Sequence, residues 1–268
     1  MTPPVPMNEQ AGLAALALDA ALEQCRFTDP ATAGAALAEG VGRLLGSAIA
    51  ARGSASLAVS GGRSPIAFLR ALSEQPLDWS RVSVTLVDER WVDPGSADSN
   101  EALVHEHLLR GPAAGARWVP LKGVESSPAA GLVAAQARLR AMPWPLDAVV
   151  LGMGDDGHTA SLFPGAPGLA AALDPHGTAW LAAIDPPGAP HARLSLTLAA
   201  LHQARQVFIL IAGAAKRRVI EQAARSGDPA VWPIAGVLGG TGAAGVAGAA
   251  GGVGRVSGPV TLYWSADV

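Results

Sequence analysis

The clearest chemical signal in the sequence is a histidine presented by a glycine-rich turn, in the run Leu151-Gly-Met-Gly-Asp-Asp-Gly-His-Thr-Ala-Ser-Leu-Phe-Pro164. His158 suits acid–base chemistry, because an imidazole with an ordinary pKa of about 6.5 exchanges protons near neutral pH. Asp155 and Asp156 precede it, and a neighbouring carboxylate can orient the ring. A lone histidine is more often structural, but this one follows a predicted strand, which favours catalysis. We predict that residues 159–161 begin a short helix.

A second junction, Val59-Ser-Gly-Gly-Arg-Ser-Pro65, has the composition of an anion-binding loop. Gly61 and Gly62 would let the backbone approach a ligand, and the following helix N-terminus would present unpaired N–H groups that suit a phosphate. Ser64 is the predicted N-cap and Pro65 the first helical residue. A plain turn between a strand and a helix uses the same residues, so this loop alone leaves both interpretations open.

A third junction, Leu86-Val-Asp-Glu-Arg-Trp-Val92, ends a strand in two acids and an arginine. Such charges usually lie in a solvated loop. Here Asp88 and Arg90 would lie at the ligand-binding edge of a sheet, and arginine is suited to bidentate contact with oxyanions. Downstream, Asp98-Ser-Asn100 resembles a helix start, for which capping is a sufficient explanation.

Two further cations are candidates for the site. Arg193 begins Arg-Leu-Ser-Leu-Thr-Leu198, and Lys216 lies in the strand-end turn after residues 206–211. Either could be an ordinary surface charge. If Gly61 and Gly62 bind a phosphate, both cations become candidates for contact with it.

Other chemistries are disfavoured. Residues 152–157 and 240–245 both match G-x-G-x-x-G, but two carboxylates in the first would repel a pyrophosphate, and the second lacks a strand–turn–helix context. His105 and His107 are two positions apart on a predicted helix, point to different faces and make a poor metal pair. The sequence contains no G-x-S-x-G nucleophile elbow, which disfavours a serine esterase of the α/β-hydrolase type.

Composition narrows the class of protein. The chain has 268 residues, half of them hydrophobic, and a net charge of −3, without the basic footprint that nucleic acid or an anionic membrane would require. The single Cys25 cannot form an internal disulfide, which fits a reducing compartment. The N-terminus lacks the pattern of a signal peptide, and no apolar run approaches the ~18 residues of a membrane span. We therefore predict a cytoplasmic protein.

The apolar pattern predicts an α/β fold, because short, continuously apolar strands alternate with helices. Predicted strands span residues 56–60, 82–87, 146–151, 179–184, 206–211 and 260–264, and predicted helices span residues 31–52, 65–73, 100–110, 127–142 and 214–226. We expect a doubly wound, mostly parallel sheet with helices on both faces and ligands at the carboxyl ends of its strands. Residues 1–268 are predicted to form one domain, with a Gly/Ala-rich surface insertion at 239–258.

These motifs together resemble the 6-phosphogluconolactonase family. The resemblance rests on Ser60-Gly-Gly-Arg-Ser-Pro65, on Asp88-Glu-Arg90 with Asp98-Ser-Asn100 downstream, and on the run 151–164, in order and spacing. It extends from about residue 30 to Asp267. The run Asp-Gly-His-Thr-Ala-Ser-Leu-Phe-Pro is specific to the family, whereas the Ser-Gly-Gly loop is shared with the wider sugar-phosphate isomerase group, including glucosamine-6-phosphate deaminases.

The resemblance implies hydrolysis of 6-phospho-D-glucono-1,5-lactone to 6-phosphogluconate in the oxidative pentose phosphate pathway, without a cofactor. The expected partner is this small molecule, and the chain is expected to be a monomer or weak homodimer. The residues that the resemblance assigns to the phosphate are Gly61, Gly62, Ser64, Arg193 and Lys216.

For the reacting end of the substrate, the resemblance makes His158 the acid–base group, and we expect Asp156 to orient either the loop or the imidazole. Asp88 and Arg90 are expected to contact the ligand, and Arg90 is one candidate to meet the oxyanion. The sequence departs from the family pattern at Ser64 and Ser195, where threonine is usual, and at Asp155, where glutamate is common.

Two alternatives remain open at this point. An aldose–ketose isomerase or deaminase acting on an amino-sugar phosphate would share the fold and the loop, but the histidine run argues against it. A non-catalytic sugar-phosphate sensor could dispense with His158. Such a regulator is expected to carry a helix-turn-helix region, and the absence of a basic N-terminal module argues against it.

Overall fold

A computed structural model describes residues 16, 18, 22–239 and 256–266. Its strands are β1 (Glu23–Phe27), β2 (Ala55–Val59), β3 (Val82–Leu86), β4 (Asp88–Arg90), β5 (Arg117–Trp118), β6 (Ala148–Leu151), β7 (Leu181–Ile184), β8 (Arg193–Leu196), β9 (Val207–Ala212) and β10 (Val260–Ser265). Its α-helices are α1 (Pro30–Arg52), α2 (Ile66–Ser73), α3 (Asn100–His107), α4 (Pro128–Arg140), α5 (Leu169–Ala172), α6 (Leu198–His202), α7 (Gly213–Ser226) and α8 (Pro233–Leu238). Short 3₁₀ turns span Trp79–Arg81 and Gly111–Gly115.

Seven strands form a parallel sheet in the order β1-β10-β9-β6-β2-β3-β5. Every residue of β2, β3 and β6 is buried, which explains why these strands consist of apolar residues and small hydroxyl residues, with no charged side chain. The chain runs from β2 outward to β3 and β5, then returns to β6 on the other side of β2. This reversal places the topological switch point, where such sheets bind ligands, between β2 and β6. The predicted fold class, a mostly parallel α/β sheet, is confirmed.

A second, antiparallel sheet of three strands has the order β4-β8-β7. The sequence analysis missed β4 and β8, because Asp-Glu-Arg is a charged tripeptide and its pairing partner lies about a hundred residues away. The sequence left open whether Asp88–Arg90 lies in a solvated loop or at the ligand-binding edge of the sheet. In the structure a single residue, Val87, separates β3 from β4, so the chain leaves one sheet and enters the other.

Helix α1 shows how the local sequence defines an element. Asp29 is its N-cap and accepts a hydrogen bond from Thr32 N at 2.8 Å, Pro30 follows at the first helical position, and Gly53 ends the helix in the left-handed region. Its buried stripe packs against α2 and the sheet. The predicted helix over 31–52 is therefore confirmed.

Two local predictions are wrong. Helix α2 begins at Ile66, not at Pro65, because the carbonyl of Pro65 accepts the first helical hydrogen bond, from Leu69 N. Pro65 is therefore the N-cap residue. The side chain of Ser64 makes no capping hydrogen bond. Residues 159–161 do not begin a helix. Ala160 has a φ of +48°, outside the helical region, and Leu162 N bonds back to Thr159 O in a tight turn.

The predicted domain extent remains a prediction. Most of the Gly/Ala-rich segment at 239–258, including the second glycine pattern at 240–245, lies outside the described residues. Among the helices that the structure describes, none combines the length and apolarity needed to cross a membrane.

Candidate active site

A cleft of about 260 Å³ opens at the carboxyl ends of β2, β6 and β9, with β4 and β8 along one side. Eight of the nine predicted site residues line it, and the ninth, Asp156, contacts the His158 ring. The eight lining residues are Gly61, Gly62, Ser64, Asp88, Arg90, His158, Arg193 and Lys216. Residues separated by up to 155 positions in the sequence thus meet in one place.

His158 is held by Asp156. The ring nitrogen Nδ1 lies 2.6 Å from Asp156 Oδ1, and the same oxygen accepts the backbone N–H of His158 at 3.1 Å. Because an ionised carboxylate only accepts hydrogen bonds, Nδ1 carries the hydrogen in the neutral ring, and Nε2 keeps its lone pair. The His158 side chain is partly exposed (27%), so Nε2 is left as the basic nitrogen of a cleft-lining imidazole.

Two glycines permit this geometry. A Cβ on Gly154 would lie 2.1 Å from His158 Nδ1 and 2.5 Å from Asp156 Oδ1, so a side chain there would displace the pair. Gly157 has a φ of +74°, which glycine tolerates best, and a Cβ there would lie 2.6 Å from the Trp232 ring. The turn is glycine-rich because the histidine folds back over it.

The electrostatics of Asp156 agree with this role. Partial burial alone would raise the pKa of its carboxyl group. The charge of His158 and the hydrogen bonds from His158 outweigh that effect and hold the pKa below its ordinary value of 3.8. Asp156 is therefore an anion at neutral pH, as the acceptor role of its carboxylate toward His158 requires.

The loop after β2 presents donors to the cleft. Within the described part of the chain, the backbone N–H groups of residues 61–64 donate no hydrogen bond. Gly62 has a φ of +87°, and nothing lies within 4 Å of the position of its missing Cβ. Free N–H groups ahead of the first turn of α2 form an arrangement that suits an anion.

Gly61 is a glycine for a different reason. A Cβ at this position would lie 1.8 Å from Asn100 Oδ1, so Asn100 occupies the space of a side chain. Asn100 is 2% exposed and donates Nδ2–H to the carbonyl of Asp88 at 2.8 Å. Because the donor end of the amide faces a carbonyl, the acceptor Oδ1 faces the loop.

Buried Glu89 joins β4 to the start of α3. Its carboxylate accepts the backbone N–H groups of Arg90 (2.7 Å), Asn100 (2.9 Å) and Glu101 (2.7 Å), as well as the Ser99 hydroxyl at 3.1 Å. Burial raises the pKa of Glu89, and the backbone hydrogen bonds partly offset this rise. Glu89 is therefore a structural acid that holds the strand and helix carrying the site residues.

Arg90 and Arg193 face each other as cross-strand partners in the antiparallel β4–β8 pair. The Arg90 guanidinium donates to Asp98 O at 2.6 Å, and Arg193 donates to Pro190 O at 3.3 Å. The Nε atoms of both arginines are buried and have no partner among the described residues. Two guanidinium groups placed side by side, with unused donors, suit a negatively charged ligand.

The charge of Arg193 is only partly compensated by its surroundings. Desolvation lowers its pKa, Asp88 opposes this effect, and the nearby positive charge of Arg90 adds to it. Asp88 is itself buried, and one of its oxygens accepts the Ser161 hydroxyl at 2.5 Å. A bound anion would relieve the repulsion between the two arginines.

Lys216 lies in the first turn of α7 and not in a strand-end turn, as the sequence suggested. Its ammonium group donates to the carbonyl of Met153 at 2.5 Å and pairs with Asp155 at 3.2 Å. Asp155 is largely exposed. An exposed position can hold either an aspartate or the glutamate that is common in the family. Lys216 thus links α7 to the turn that carries His158.

Among residues 16, 18, 22–239 and 256–266, no cluster of three or more His, Cys, Asp or Glu side chains is placed to hold a metal ion. His107 is buried, and His105 packs edge-on against Trp118.

Comparison with known proteins gives the family. Residues 28–245 match the family described as glucosamine-6-phosphate isomerases/6-phosphogluconolactonase. The chain belongs to this family. A family relative from Rhizobium meliloti (strain 1021), named 6-phosphogluconolactonase, is 44% identical over 239 residues, which cover 89% of this chain and 97% of the relative. One of the same name from Pseudomonas aeruginosa is 47% identical over 201 residues, covering 75% and 84% of the two chains.

Solved structures have a similar fold. The crystal structure of a 6-phosphogluconolactonase from Shewanella baltica OS155 has a TM-score of 0.84 and 38% identity, and the match covers 93% of this chain and all of that one. A monomeric glucosamine-6-phosphate deaminase has a TM-score of 0.68 at 13% identity, with 91% of this chain and 97% of that one covered. That second likeness concerns the fold alone.

Sequence reasoning missed several residues of the site. Glu89 was treated only as half of an acid pair, and Asn100 only as a helix start. Ser161 and Phe163 belong to the family run but were given no role. A signal was available for Asn100, since a helix start that follows a charged strand end must lie near the ligand edge, but its contact with Gly61 depends on tertiary structure.

Proposed function

We propose that this chain hydrolyses 6-phospho-D-glucono-1,5-lactone to 6-phosphogluconate. The observation that carries the proposal is that His158, held by Asp156, lines the same cleft as a loop of free N–H groups. An oriented base and an anion site in one cleft fit a substrate with a reactive carbonyl at one end and a phosphate at the other. The family relatives that carry the name 6-phosphogluconolactonase support the same substrate.

The phosphate is assigned to the loop after β2 and the cations that face it. Gly61, Gly62 and Ser64 supply backbone or hydroxyl donors, while Lys216 and Arg193 supply charge from α7 and β8. The binding energy of this distant group holds the lactone carbonyl near the imidazole, which lowers the entropic cost of the reaction.

The chemical step uses His158 as a general base and then as a general acid. Nε2 removes a proton from a water molecule as the water oxygen bonds to C1 of the lactone. The tetrahedral intermediate collapses with cleavage of the bond between C1 and the ring oxygen, and that oxygen takes the proton from Nε2. The products are an open-chain carboxylic acid and the regenerated imidazole, so atoms and protons balance.

Two charged groups assist this step. The Asp156 carboxylate stabilises the imidazolium that forms when the water is deprotonated. Arg90, whose Nε is unused and which lies in the cleft, is assigned to the oxygen that becomes negative in the intermediate. Asp88 faces the same cleft and is assigned to a sugar hydroxyl as acceptor.

The test compares hydrolysis of freshly made 6-phosphogluconolactone by wild type and by His158→Ala, after subtraction of the spontaneous rate. We expect the catalysed rate to fall by about 10²–10⁴-fold, the usual contribution of a general base. His176→Ala, at an exposed histidine, is the matched control and should keep full activity. Equal rates in wild type and His158→Ala would refute the mechanism, and turnover of glucosamine-6-phosphate in place of the lactone would refute the substrate.

Cytoplasmic location and a monomer or weak homodimer stay predictions from the sequence. Size-exclusion chromatography with light scattering at micromolar concentration would measure the second of these directly.

A further inference from the structure

The segment after His158 is attached to three parts of the structure. Thr159 Oγ1 donates to the carbonyl of Gly152 at 2.9 Å. Ser161 donates its hydroxyl to Asp88 at 2.5 Å, and its backbone N–H to Ser195 Oγ at 3.1 Å. Thr159 and Ser161 are both almost completely buried. Residues 159–161 are therefore fixed to the histidine turn, to β4 and to β8, although none of these bonds has a part in the proposed reaction.

The tight turn at Ala160 brings the chain back toward the histidine. Its φ of +48° is rare for a residue with a side chain, and such conformations occur where the surroundings enforce them. Three residues later, the Phe163 ring stacks on the His158 imidazole, with centroids 4.0 Å apart and an interplanar angle of 27°. Phe163 is 8% exposed, so the protein covers almost the whole ring that packs on the imidazole.

The same ring also supports Arg193. The Cζ atom of Arg193 lies 5.0 Å from the centroid of Phe163, a distance typical of a cation–π contact. In the described part of the chain, His158 and Arg193 share no hydrogen bond or ion pair with each other. The Phe163 ring is thus the side chain that touches both the proposed base and one of the proposed phosphate ligands.

We propose that Phe163 is a positioning residue that sets the separation between the His158 imidazole and the Arg193 guanidinium. This inference rests on the proposed function, because it assumes that a substrate bridges the two groups. An aromatic ring suits the role, since it is rigid and offers a flat face to an imidazole and to a cation. Reaction rates are sensitive to such spacing, because displacement by about 1 Å can cost about 10²-fold.

A residue that only fills the core would affect every reaction of the enzyme equally, so the test uses two substrates. Phosphorylated lactone must bridge the anion site and the base, whereas unphosphorylated glucono-1,5-lactone needs only the base, which Asp156 still orients. For Phe163→Leu we expect kcat/KM to fall by about tenfold with the phosphorylated lactone, and by less than about twofold with the unphosphorylated one. Equal losses with both lactones, or no loss with either, would overturn the proposal.

Two further variants complete the kinetic experiment. Phe208→Leu removes a ring of matched burial (6% exposed) that packs against Tyr263, whereas the ring contacts of His158 and Arg193 in the described residues are with Phe163; it should leave the ratio between the two substrates unchanged. Phe163→Tyr keeps the aromatic face and should restore the ratio. If Phe163→Leu does not fold, Phe163→Met fills the space without an aromatic face and takes its place.

A spectroscopic measurement separates this proposal from the proposed function. Inorganic phosphate is titrated into wild type and Phe163→Leu while the His158 ring resonance, assigned with His158→Ala, is followed by NMR. We expect phosphate to shift this resonance in wild type and to shift it by less than half as much in Phe163→Leu. A wild type that hydrolyses neither lactone would refute the proposed function alone, whereas equal shifts in both proteins would refute the role of Phe163.

Discussion

The contact between Gly61 and Asn100 leads to a prediction about stability that the sequence alone does not suggest. The glycines of an anion-binding loop are usually explained by the approach of the ligand, yet at Gly61 the space is taken by the protein itself. We therefore expect Gly61→Ala to destabilise the empty protein, and Asn100→Ala to rescue it. A Cβ at 1.8 Å from Asn100 Oδ1 is far inside the ~3.4 Å at which ordinary contact begins.

The magnitude follows from what must move. Gly61 does not have a positive φ, so the alanine adds no backbone strain and the whole cost is steric. Displacing a residue that is 2% exposed costs about 1–3 kcal/mol, and loss of its hydrogen bond to Asp88 O adds about 1 kcal/mol. At ~2–4 °C per kcal/mol for a chain of this size, a loss of about 3 kcal/mol lowers Tm by about 6–12 °C.

The assay is a double-mutant cycle by thermal denaturation without ligand. Asn100→Ala alone should cost about 1 kcal/mol, and the double variant should resemble it, because the alanine at 61 then meets no oxygen. Gly62→Ala is the matched control: its φ of +87° makes an alanine strained, but nothing lies within 4 Å of its Cβ, so Asn100→Ala should not rescue it. Additive losses for Gly61→Ala and Asn100→Ala would refute the steric explanation.

Two further predictions concern the acids of the site. Asp156→Asn should lower kcat by about tenfold, because the half-exposed, solvent-screened carboxylate stabilises the imidazolium by about 1–2 kcal/mol. Asp155→Asn, at a largely exposed acid, should change kcat by less than about twofold. Similar losses of kcat in both variants, measured by steady-state kinetics, would contradict the assigned roles. The pKa of Glu89 is raised above its ordinary 4.5, so the folded protein binds this proton more tightly than the unfolded chain, and this contribution to stability is lost as the pH rises from 4.5 through the raised pKa. In Glu89→Gln that pH-dependent loss should vanish, and a constant difference in Tm between the two proteins from pH 4 to 8 would count against the assignment.

Much of the site was predictable from local sequence because its backbone requirements are local. Gly62 and Gly157 adopt positive φ angles, Ser99 caps α3, and the buried strands β2 and β6 are mostly apolar. Each of these features depends on a few neighbouring residues, so the turns at the ends of β2 and β6 could be recognised without a structure. The parallel topology then placed those turns at one edge of the sheet.

Tertiary structure decided how those turns work together. Asp88–Arg90 is a strand only because β8 pairs with it, and that pairing sets Arg90 opposite Arg193. Asn100 lies against Gly61, and Phe163 lies against both His158 and Arg193. The sequence by itself determined which residues could carry the chemistry, since side-chain type and local backbone preference belong to each short segment. The distances between these residues depend on packing between segments that lie far apart in the chain. No local backbone preference encodes such packing.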